Sequence, residues 1–223
     1  MIIIVLLVCS FILSSCMTTG GSKCPDEEIN YGHALKLNDI HYTRDYESDL
    51  SNVKKGKKIG EVGFKLSGNS CSNYRMKNGD ATLLPVSTAI YEVADYAQEY
   101  RVMANGELYE VTDNPKAKTI ADLYDITGKV TKVSFESTGD GSHISDFSPE
   151  ATNEFAVEYL KLKYIGFDEM YKKASGNNYF LRIYLTDGTS FRISYWSDHQ
   201  AISPGAFGTD ELKKIIQEQS QQR

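Results

Sequence analysis

Apolar and polar positions alternate in short runs over the first half of the chain and recur at helical spacing only in the second. Leu35 and Leu37, then Ile40 and Tyr42, suggest a first strand broken at Asn38-Asp39. Val62, Phe64 and Leu66 alternate with Glu61, Gly63 and Lys65, the period of a half-buried strand. Asn78-Gly79-Asp80 reads as a turn, and Leu84-Pro85-Val86 as an edge strand, because proline cannot donate to a central ladder. The strongest local signal is Tyr100–Val111. Its Asn105-Gly106 supplies the two positive-φ positions of a type I′ hairpin turn, which sets Val102 opposite Tyr109, Tyr100 opposite Val111 and Arg101 opposite Glu110. Apolar pairs then share one face and an ion pair takes the other.

Beyond Thr112–Lys118 the pattern changes. Residues 129–136 alternate as a strand whose better apolar face carries Thr131, Val133 and Phe135. Ser148-Pro149-Glu150 opens a helix, with serine as cap, proline at the first position and an acid near the positive end of the dipole. Phe155, Tyr159 and Leu162 follow at helical spacing. A second short helix places Phe167, Met170, Tyr171 and Ala174 on one face, with Gly176 as its stop. A hairpin through Asp187-Gly188 carries bulky groups on both faces and is expected to be central, and Thr209 caps a last helix with Leu212, Ile215 and Ile216 inward. The predicted class is α+β: a β-rich module over 35–116, a small antiparallel sheet or barrel, followed over 117–223 by an antiparallel sheet with helices packed on one face.

The N-terminus has a different character. Ile2 to Leu13 is an apolar stretch of twelve residues, too short for a membrane-spanning helix of about 20 residues and suited to the core of a secretory signal. Leu13-Ser14-Ser15-Cys16 follows and resembles the lipobox of bacterial lipoproteins, in which an aliphatic residue and two small ones precede a cysteine that becomes lipid-modified. Cys9 is a poorer match, since bulky Val8 precedes it and a cut there would halve the apolar run. No Lys or Arg precedes that run, which points to a start upstream of Met1. The resemblance implies a signal peptide over 1–15, cleavage between Ser15 and Cys16, and a thioether-linked diacylglycerol on Cys16, joined in many bacteria by an N-acyl chain. Two or three chains anchor stably where one does not. Residues 16–34 then form a lipidated tether, and the fold lies on the extracytoplasmic face of the cell membrane.

Composition constrains partners more than chemistry. With 24 Lys and Arg against 30 Asp and Glu, the chain carries a formal charge of -6, which argues against a nucleic-acid binder. The dense cationic run Lys54–Lys58 reads as a solvated loop before a strand, with anionic lipid headgroups as the other reading. Outside the leader and Cys16, the remaining cysteines are Cys24 and Cys71. An oxidising compartment makes them a candidate disulfide tying tether to fold; two unpaired thiols are the alternative. No metal-ligand spacing is present, so neither a metal nor a cofactor is expected.

No HExxH, GxSxG, P-loop or GxGxxG occurs. Gly139-Asp140-Gly141-Ser142-His143 gathers Ser, His and Asp within a few residues, but triad members usually converge from separate elements, so it reads as a solvated turn. Tyr195-Trp196-Ser197-Asp198-His199 ends a strand and carries the only tryptophan; Trp196, Tyr195 and His199 form the candidate contact site, with core packing as the plainer reading. Segments 57–62 and 76–86 resemble small surface lipoproteins of Gram-positive bacilli with no assigned activity, which implies location and no mechanism. The expected function is a membrane-anchored binding module whose partner is an envelope protein, a peptide or a wall component. An envelope enzyme or enzyme inhibitor is the alternative, and a solute-binding receptor a more distant third.

Overall fold

A computed structural model of the chain describes residues 32–71 and 73–221. It is α+β and β-rich, with one sheet from each half of the sequence and four helices. Asn38 and Asp39 both take positive φ (53° and 70°), so the expected break is a tight turn and β1 (Ala34–Leu37) folds back onto β2 (Ile40–Arg44). Asn105 and Gly106 likewise turn β7 (Arg101–Ala104) onto β8 (Glu107–Asp113), with Arg101 opposite Glu110 and Val102 opposite Tyr109. β3 (Lys55–Glu61), β4 (Phe64–Lys65), β5 (Asp80–Ala81) and β6 (Ala89–Val93) complete an eight-stranded sheet ordered β3-β6-β7-β8-β2-β1-β5-β4.

Three expectations are corrected here. The sheet is mixed, because β4 runs parallel to β5. Lys55–Lys58 is strand: backbone pairing to β6 holds it at the edge, and its lysines stay exposed, a usual guard against edge-to-edge association. Leu84-Pro85-Val86 is bend and turn, with Ser87 at φ 68°.

The second half opens with α1 (Ile120–Leu123), capped by Thr119, whose side chain accepts from the Asp122 amide. A six-stranded antiparallel sheet follows, ordered β10-β9-β11-β12-β13-β14 and built from β9 (Val130–Glu136), β10 (His143–Asp146), β11 (Asn178–Leu185), β12 (Ser190–Trp196), β13 (Ala201–Ile202) and β14 (Ala206–Phe207). The long hairpin β11–β12 is central. Register puts Val133 against Ile183 and Phe135 against Leu181 on one apolar face, and Ser134 against Arg182 on the other. Helix α2 (Pro149–Lys161) starts at Ser148, whose hydroxyl accepts from the Ala151 amide at 3.1 Å; such a cap contributes about 1 kcal/mol. Its Phe155 meets Phe147, which meets Phe135, so α2 closes the apolar face together with α4 (Asp210–Ser220), capped by Thr209.

The two sheets share one core. Tyr100, just before β7, lies 5.4 Å from Tyr124, which lies 4.9 Å from Phe191 of β12, and buried residues from Leu35 to Ile216 form a single cluster. The face of the second sheet opposite the helices is sealed by charge. Glu136 is held by Arg182 and Arg192, and Arg182 also reaches Glu47 from the first half.

Candidate functional site

The short helix α3 (Phe167–Tyr171) presents the main exposed aromatic surface. Its seat is backbone on backbone: the Ile165 amide donates to the Gly205 carbonyl at 2.8 Å, and a Cβ on Gly205 would stand 2.4 Å from the Gly166 carbonyl carbon. Only glycine allows that approach. Seated this way, α3 buries Met170 completely and turns Phe167 and Tyr171 outward, 45% and 56% exposed. The predicted apolar face is therefore split, with Met170 as its inward member. The two outward rings stand four residues apart, the spacing that stacks side chains on a helix, and lie 5.2 Å apart and 16° from parallel.

Trp196 extends the strip. The edge contact between Tyr171 and Trp196 measures 5.8 Å and 76°. Strand alternation separates Trp196 from its neighbour: Trp196 is partly exposed, while Tyr195 is 1% exposed and packs inward beside Tyr179. Of the predicted contact residues, Trp196 thus belongs to the strip and Tyr195 to the core. His199 is exposed nearby in sequence and meets Ser175 at 3.3 Å.

Phe167 also walls a crevice of about 540 Å³ between the end of the first sheet and α3. Asp113, Asp168, Glu169 and His41 line it. Burial, helped by Lys36 and opposed by Asp113, lowers the His41 pKa below the usual 6.5 and so favours its uncharged form; the other titratable groups of the crevice lining are carboxylates. Asp113 accepts from the Tyr164 hydroxyl at 2.9 Å and Glu169 pairs with Lys172 at 2.5 Å, leaving Asp168 the least compensated. Aromatic rings beside carboxylates bind by stacking and charge attraction and need no nucleophile.

Two other concavities are lined differently. A crevice of about 400 Å³ by Tyr96 is lined by Lys129 and Asp187, but Lys129 is bonded to Asp125 and the Asp95 carbonyl, and Asp187 to Arg101 and Thr189. A groove of about 630 Å³ beside α2 is lined mainly by small and aliphatic groups such as Ala121, Val157 and Leu160. The Ser-His-Asp cluster does not assemble as a triad. Ser142 donates to Asp140 at 2.8 Å, whereas His143 bonds Asp146 at 2.8 Å and opens edge strand β10. Hydrogen bonds from Ser137 and Ser142 hold the Asp140 pKa at about 2, the signature of a closed polar turn.

Ser15, Cys16 and Cys24 lie outside the described residues. Cys71 is disulfide-bonded, and the other three cysteines of the chain all lie outside the described residues. Among the described residues no helix is long and apolar enough to cross a membrane. Compared with protein-family models, curated proteins and solved structures, the chain matches none.

The sequence points to Trp196 because it is the only tryptophan at a strand end. Phe167 and Tyr171 are missed as contact residues although their signal is present: aromatics at i and i+4 directly after Gly166, with acids at the two positions following the first ring.

Proposed function

We propose that the protein is a lipid-anchored binding module on the extracytoplasmic face of the cell membrane, which contacts an envelope partner through the Phe167–Tyr171–Trp196 strip. The observation that carries the contact role is the strip itself: adjacent, outward aromatic rings on a seated helix, next to a crevice of suitable polarity. Aromatic side chains are enriched where surfaces meet, and the two α3 rings are the neighbouring pair among the strongly exposed large apolar side chains. The anchor rests on the apolar run and the lipobox-like Leu13-Ser14-Ser15-Cys16. A disulfide from Cys24 to Cys71 would fix the tether to the fold only eight residues beyond the lipidated cysteine, so the module would stand close to the bilayer.

Metabolic labelling with an alkyne-bearing palmitate tests the anchor. Wild-type protein in native cells is expected to carry the label and to partition with membranes until detergent is added. The Cys16→Ala form is expected to carry none. Equal labelling of both forms, or none in the wild type, contradicts the assignment.

A further inference from the structure

Surface aromatic rings in this fold are repeatedly covered by its own cations. Arg44 lies 4.7 Å over Tyr46, Lys55 4.3 Å over Tyr91, Lys132 4.2 Å over Tyr184, and Lys173 5.7 Å over Phe207. The comparison with Tyr46 is direct, because at 61% exposed it is as open as Tyr171 and still has a guanidinium on its face. Among the described residues, no Lys or Arg stands over Phe167, Tyr171 or Trp196. Lys172, directly after Tyr171 in sequence, is turned to Glu169, and Lys173 to Phe207.

We infer that the strip receives cationic side chains from a partner, so that its occupant is an arginine- or lysine-bearing peptide segment. This rests on the binding reading above and names the class of partner. Two independent features converge on it. The π-faces left open are those a guanidinium or ammonium would cover, and an arginine is the better fit because its planar group stacks. The adjoining crevice offers Asp113 and Asp168 with no Lys or Arg in its lining, Glu169 being already paired with Lys172, and burial of His41 favours its uncharged form. A segment with one cation on the rings and a second in the crevice would satisfy both. The overall charge of -6 favours encounter with such a segment. An uncharged glycan would stack on the rings and bring no countercharge to Asp168.

Trp196 is the only tryptophan, so its emission reports on the strip directly. The full chain in a neutral detergent is titrated with hexaarginine, hexalysine, hexaglutamate and chitotetraose, none of which emits in that range. Hexaarginine is expected to change the emission saturably, hexalysine to bind more weakly, and hexaglutamate and chitotetraose to do nothing. Tyr171→Leu keeps an apolar group and removes one π-face, and is expected to weaken hexaarginine about two- to fivefold, the value of one exposed cation–π contact. The double change Asp168→Asn with Glu169→Gln is expected to weaken it and to flatten its salt dependence. Glu150→Gln, on α2, is expected to change nothing. The inference is overturned if hexaarginine leaves the emission unchanged, or if all variants bind it as Glu150→Gln does, which would indicate general attraction to an acidic protein. A response to chitotetraose alone overturns the cationic partner while keeping the binding reading.

Discussion

Replacing Arg101 by alanine is expected to lower the unfolding free energy by about 3–5 kcal/mol, the usual consequence of leaving a buried charge without its counterion. For a chain of this length that is a fall of roughly 6–20 °C in midpoint. Arg101 is fully buried, yet it pairs with Glu110 at 2.6 Å and Asp187 at 2.9 Å and donates to Thr189 at 2.8 Å. Tyr96 and Tyr100 each lie 4.6 Å from its guanidinium carbon. Asp187 and Thr189 belong to the β11–β12 turn, so this one side chain fastens the first sheet to the second. Burial opposes its charge, but Tyr100, Glu110 and Asp187 outweigh that and raise its pKa.

Glu110 suffers the reverse balance. Burial raises its pKa above the usual 4.5, and Arg101 only partly offsets the rise. A carboxyl whose folded pKa is raised loses stabilising effect as pH climbs from its unfolded value through the folded one, because the folded state holds the proton longer. Removing Arg101 widens that window. The deficit of the alanine variant is therefore expected to be larger at pH 7 than at pH 4.5. Urea unfolding at both pH values checks this; a deficit below about 1 kcal/mol at pH 7 would mean that the site relaxes and hydrates.

Replacing Glu136 by glutamine is expected to cost about 2–4 kcal/mol at pH 7. Its side chain is 6% exposed and lies between Arg182, itself 9% exposed, and Arg192. The amide keeps a hydrogen-bond acceptor but leaves two guanidinium groups with Glu47 as their remaining carboxylate. Burial raises the Glu136 pKa, and the hydrogen bonds from both arginines outweigh it and bring it below 4.5. The sign is thus opposite to Glu110: stability from Glu136 is fully present above its unfolded pKa and is lost as pH falls through the folded one. Wild-type protein should lose this contribution below pH 4.5, while the glutamine form should show a flatter acid limb. Parallel acid limbs would contradict the role.

Local chemistry made much of the fold legible. Asn105-Gly106 fixes a turn and therefore a register, and Ser148-Pro149 and Thr209 fix helix starts, because each acts within a few residues. What stayed hidden depends on contacts distant in sequence. Arg101 opposite Glu110 is readable from the hairpin, but its burial is decided by Asp187 and Thr189, far along the chain. Lys55–Lys58 lacks an apolar period and is strand only because β6 supplies backbone partners. The pair β4–β5 is too short to leave a pattern.

The site shows the same division. Trp196 was legible as an outlying aromatic. Helical spacing groups Phe167, Met170 and Tyr171 without saying which of them face the core. The close approach of Gly205 to Gly166 decides that, burying Met170 and leaving both rings outside.

The most direct test places a photo-crosslinking side chain at position 171 of the anchored protein in native cells, and another at Val157, which is 53% exposed on α2. A discrete adduct from position 171, absent from position 157 and lost when Cys16 is replaced by alanine, is the expected result. Equal adducts from both positions, or none from 171 while the protein is anchored, would contradict a contact role for the aromatic strip at the membrane surface.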